Sequence, residues 1–125
     1  MIQKTVLLRK TFKASGAIPE GSLVKFVTDD DTVVICTGAT DKIVGVASHV
    51  AADGERIEVD LVGVTYVVLG GSVARGDDVT ADANGAGVAL SAAATIKSSV
   101  GRAMASGAAA DLCPVLVNLW SAVTA

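Results

Sequence analysis

Apolar and polar residues alternate most cleanly near the middle of the chain. Ile57, Val59 and Leu61 are separated there by Glu58 and Asp60. A period of two sends successive side chains to opposite faces, so residues 56–62 are predicted as a strand with Glu58 and Asp60 on its wet face. Asp53-Gly54 just before it is a turn signal, because glycine accepts positive φ without steric cost. Residues 44–50 and 56–62 are therefore expected to pair as an antiparallel hairpin. Upstream, residues 23–28 and 32–36 form a second hairpin around Asp29-Asp30-Asp31. Downstream, residues 63–69 are expected as a further strand, broken by Gly70-Gly71. Asn84-Gly85 turns the chain into another strand at 87–92. A last strand is expected at 115–119. Pro114 has no amide to donate and belongs at a strand start or on an edge.

The pattern is stated twice. Gly45 and Gly101, Ala47 and Ala103, and Val59 and Val115 are each 56 positions apart. Gly21-x-x-Val24 returns as Gly76-x-x-Val79, and Thr40-x-Lys42 as Thr95-x-Lys97, at a spacing of 55. One inserted residue before Gly101 reconciles the two. The expectation is one domain with internal pseudo-repeats at about 21–62 and 76–117. Residues 103–110 are alanine-rich, and alanine favours helix. Gly101, Gly107 and the lack of a leucine stripe argue for turn and strand instead.

Composition narrows the class. The chain has 125 residues, enough for one domain with one core. Half of it is apolar but only 3% is aromatic, so the core must be built from Val, Leu, Ile and Ala. Abundant glycine and scarce proline suit short strands in an all-β fold. The apolar run at 61–69 is far too short to span a bilayer as a helix. No secretory leader pattern opens the chain, so synthesis in the cytoplasm is expected.

Charge is unevenly placed. Residues 1–19 hold four basic and no acidic residues, while residues 20–125 hold six basic and thirteen acidic ones. Residues 1–19 therefore read either as an extended N-terminal arm meant for another surface or as a plain first strand. The rest is residues 20–125, the β domain. An acidic body without a basic, aromatic-laced face is ill suited to nucleic acid.

Candidate chemistry is sparse. Asp29-Asp30-Asp31 and Asp82-x-Asn84-Gly85 lack the spaced oxygen ligands of a calcium loop and read as turns. Cys36 and Cys113 sit in no close pair and read as small core hydrophobes rather than metal ligands. His49 is the only histidine, and no nucleophile or carboxylate beside it forms a triad. No cofactor loop or nucleophile motif appears, so the chain is not expected to be an enzyme. Trp120 is either a core plug or an interface anchor.

Gly21-Ser22-Leu23-Val24, Ile43-Val44-Gly45-Val46-Ala47, the strand at 59–63 and Gly76-Asp77-Asp78-Val79-Thr80-Ala81-Asp82 follow a short basic lead. Together they resemble the tailed-phage capsid cement, or head decoration, proteins over residues 16–119. The resemblance implies a small β-barrel or β-clip-like domain on the outside of an expanded head, holding major capsid protein subunits together. It implies a homo-oligomer, with a trimer favoured over a dimer, and no catalytic residues, cofactor, metal or small-molecule substrate. In that setting Ile2, Lys4, Val6, Leu8, Arg9, Lys10 and Lys13 are the candidate capsid-contact arm, and Trp120 the candidate oligomer anchor. The alternative is a ligand- or carbohydrate-binding β module. It would have to use Phe12, Phe26, Tyr66 or Trp120 in a concave patch.

Overall fold

The computed structural model describes residues 4–90 and 97–122. It is all-β, with no helix among the described residues. The strands are β1 (Thr5–Ala14), β2 (Leu23–Phe26), β3 (Thr32–Ile35), β4 (Ile43–Ala47), β5 (Arg56–Val68), β6 (Asp78–Ala81), β7 (Gly87–Ala89), β8 (Lys97–Ala103) and β9 (Leu112–Ala122). They form one sheet in the order β1-β3-β2-β4-β5-β9-β8-β6-β7, with β1 also paired to β5. That extra pairing closes β1, β3, β2, β4 and β5 into a ring of strands. A second circuit runs from β5 through β9, β8, β6 and β7, and a Leu69–Gly87 bridge returns it to the end of β5.

The halves match bond for bond at many positions. Gly21 N–H donates to Ala47 O, and Gly76 N–H to Ala103 O. Ala47 N–H donates to Ser22 O, and Ala103 N–H to Asp77 O. The β4–β5 rung Ala47↔Val59 returns as the β8–β9 rung Ala103↔Val115. The bridge Ile18–Ala51 returns as Val73–Gly107. The turn carboxylates recur too: Glu55 Oε1 accepts from Ala52 N–H at 2.7 Å, and Asp111 Oδ2 from Ala108 N–H at 2.9 Å. The recurrence reaches upstream of Gly21, since Ala14 N–H donates to Glu55 O and Leu69 N–H to Asp111 O.

Two aliphatic cores lie on either side of a shared wall. Val24 and Ala47 pack with Phe12, Ile18, Val33, Ile57 and Val59. Their chain neighbours Leu23 and Val46 point the other way, into a core with Val67, Leu69, Val79, Val100 and Val115. Strands buried on both faces need no wet side, which is why Ile43–Ala47 shows no polar alternation.

Two expectations fail here. Residues 56–62 and 63–69 are not separate strands: β5 runs unbroken for 13 residues. Gly63 sits inside it, where a Cβ would run into the backbone of Thr5, Val6 and Leu7. Asp60 is not on a wet face but 1% exposed. It is the direct partner of Val46 and so shares the face that looks toward the second core.

Gly45 and Gly101 are explained by close approach. A Cβ on Gly45 would collide with Asp60 O, and one on Gly101 with Leu116 O. Gly45→Ala and Gly101→Ala should each lower stability by about 2–4 kcal/mol in urea unfolding. Gly38, with open space around its Cα, should accept alanine within about 0.5 kcal/mol.

Candidate functional site

The basic lead is built into the sheet. From Thr5 to Lys13, β1 lies antiparallel on β5, and at Lys13 and Ala14 it pairs in parallel with β3. Phe12 and Ala14 are buried in the first core, while the side chains from Leu7 to Thr11 are exposed. The register shifts on both sides of Leu8. Leu7 is 77% and Leu8 51% exposed, an unusual pair of aliphatic side chains to leave in water.

The positions nominated from sequence divide by role. Arg9 Nε donates to Asp60 Oδ1 at 2.7 Å, and Thr65 Oγ1 donates to Asp60 Oδ2 at 2.6 Å. Both carboxylate oxygens are thus satisfied where they are buried, and the pair pins β1 to β5. Lys4 Nζ donates to Ser48 O at 3.1 Å. Lys10 Nζ lies 5.1 Å from the Phe12 ring centroid, within cation–π range. Phe12 in turn meets the half-exposed Phe26 edge to face, at 5.6 Å between centroids. The Lys13 amide donates to Asp31 O, and its side chain is exposed. Val6 is half-buried opposite Gly63. Ile2 lies outside the described residues. In β9 the backbone of Trp120 pairs with Ser99 of β8, and its side chain lies outside the described residues.

One surface was not anticipated from the sequence. The even-numbered residues Val62, Val64, Tyr66 and Val68 of β5 are half-buried. Val64, Tyr66 and Val68 face Leu116, Pro114 and Leu112 of β9. Leu116 is 44% and Leu112 39% exposed. The signal was the apolar character of both parities beyond Leu61, which a single-core reading treats as burial.

The chemical candidates are occupied by structure. His49 Nε2 accepts from Glu58 N–H at 3.2 Å, and Nδ1 lies 2.9 Å from Val50 O. Asp29 Oδ1 accepts from Asp31 N–H at 2.9 Å, which holds its carboxyl below the usual range. Asp82 Oδ1 accepts from the amides of Asn84 and Ala86. Among the described residues, no three of His, Cys, Asp and Glu gather closely enough for a metal ion. Cys36 and Cys113 are buried free thiols. Burial pushes the Cys36 thiol up to about 12.

What remains is a rigid aliphatic body with a basic, partly apolar ribbon on one side. A family model for phage cement proteins matches residues 2–119. The chain belongs to the phage cement protein family. It is a structural, capsid-associated protein of a phage virion. No curated protein sequence matches it. Among solved structures, the head fiber gp8.5 N base in bacteriophage phi29 is similar, with a TM-score of 0.67 and 18% identity over 91% of this chain and 96% of that one. That likeness concerns the fold of the cement protein.

These contacts set measurable outcomes. Arg9→Ala should cost about 1–3 kcal/mol in denaturant unfolding, because it leaves a buried carboxylate short of its cation. Lys10→Ala, at an exposed position, should stay within about 0.5 kcal/mol. Neither thiol should react with a disulfide reagent at pH 8 until the protein is unfolded. The raised Cys36 value also means that stability falls with rising pH between the ordinary thiol value of 9.0 and about 12, where only the unfolded chain has ionised.

Proposed function

We propose that this cement protein binds the outer surface of an expanded phage head and ties neighbouring major capsid protein subunits together. The observation that carries the reading is the β1 ribbon: exposed Leu7 and Leu8 beside Lys10 and Lys13, anchored to a stiff core through Phe12 and the Arg9–Asp60 pair. A clamp needs this combination. The apolar residues supply contact energy, the cations steer the protein to an acidic surface, and the core prevents the contact from simply stretching.

The protein acts as a homo-oligomer, with a trimer favoured over a dimer, and Trp120 and the β5–β9 apolar face are its candidate contacts. Several copies on a closed shell raise avidity over a single site by about 10²–10⁴. The virion exterior is its place of action, after synthesis in the host cytoplasm.

Removing residues 2–13 would not test this reading, since Phe12 belongs to the core. The informative variant reverses Lys10 and Lys13 to Glu together. Purified heads lacking the protein should bind it about tenfold or more less tightly at low salt, with the difference shrinking at high salt. Equal binding at both salts would remove the ribbon from the head contact.

A further inference from the structure

We propose that the bare edge of β1 is a docking site for an extended, antiparallel strand supplied by another protein. The proposal rests on the capsid reading above, which makes that protein the major capsid protein.

The template lies inside the molecule. The β1–β5 ladder and the β5–β9 ladder correspond rung for rung: Lys13↔Arg56 with Val68↔Leu112, Phe12↔Ile57 with Val67↔Cys113, and on to Arg9↔Asp60 with Val64↔Leu116. The C-terminal half of β5 therefore plays in the second circuit the part that β1 plays in the first. At Gly63 and Val64, β5 is paired on both edges, with β9 on one and β1 on the other. Residues 5–9 of β1 correspond to residues 60–64 of β5. One edge of β1 carries β5, as β5 carries β9. Among the described residues, no strand pairs with its other edge before Lys13. The first unit lacks the strand that the second unit receives from β1.

The backbone there is ready for a partner. Ala14 N–H points to β5, donating to Glu55 O, while Lys13 N–H points the other way, to Asp31 O. Strand alternation then turns the Thr11 amide to the bare edge. Leu7 and Leu8 stand exposed beside it. The register shifts on either side of Leu8 kink the edge, which works against indiscriminate annealing.

The β1 of a second copy is a poor occupant. Two β1 strands laid antiparallel would set Arg9, Lys10 and Lys13 against the same residues, and like charges across a ladder destabilise it. The charge pattern calls for a segment that is acidic or uncharged opposite Lys10 and Lys13. This is strand addition, with main-chain bonds giving affinity and side chains giving selectivity.

The test uses full-length protein and purified heads of the encoding phage that lack it. Thr11→Pro removes the outward amide and leaves the β5 ladder intact, as edge prolines do. Wild type should bind, and Thr11→Pro should bind about tenfold or more less tightly with unchanged circular dichroism. Full binding by Thr11→Pro overturns the edge site while the capsid reading stands. Wild type that leaves heads bare overturns the capsid reading and the edge site with it. Should Thr11→Pro fail to fold, hydrogen exchange of wild type decides: slowed exchange at residues 5–12 on heads supports the site, and unchanged exchange overturns it.

Discussion

Backbone hydrogen bonding along one strand constrains the whole molecule. β5 runs 13 residues without a break, and both circuits depend on it. Its first half lies between β4 and β1, and its second half takes β9 in place of β4. A strand can exchange neighbours this way only if the switch leaves few buried amides and carbonyls unpaired, since each orphan costs on the order of 1–3 kcal/mol. Glycine makes the exchange feasible. Gly63 lets β1 pass close over β5, and Gly45 and Gly101 let β4 and β8 approach the next strand at equivalent points.

The shared wall follows from the same constraint. Packing the second core against the outer face of the first ring buries both faces of β2 and β4, so adjacent residues serve different cores. A polar side chain on that wall must bring its own partners. Asp60 does so with Arg9 and Thr65. The outcome is a body held by interlocked strands rather than by aromatic bulk, which suits a protein whose family role is structural. It also means that β1 is part of the fold as well as a surface of it, joining Phe12 in the core to Leu7 and Leu8 in solvent.

Much of this was legible in the sequence. Turn residues and β-branched runs located most of the strands. The recurrence of Gly45, Ala47 and Val59 as Gly101, Ala103 and Val115 marked the doubled unit, because close approaches and small core positions repeat when the backbone does. The failures share a cause. Asp60 reads as wet and Gly63 as a break when one strand is assumed to have one buried face and one set of neighbours. Nothing local shows that Asp60 lies opposite Val46, or that Gly63 lies beneath β1. The ribbon was half legible: its charge was visible, but its docking on β5 is a long-range pairing. The bare edge could not be read at all, because it is defined by a strand that one unit has and the other lacks.

The decisive measurement is a reconstruction of decorated heads by electron cryo-microscopy at a resolution that separates strands. If the β1 edge is the docking site, coat-protein density runs antiparallel beside residues 5–12 and extends the sheet outward from β1. Heads contacted through some other face, with that edge of β1 open to solvent, would contradict that assignment.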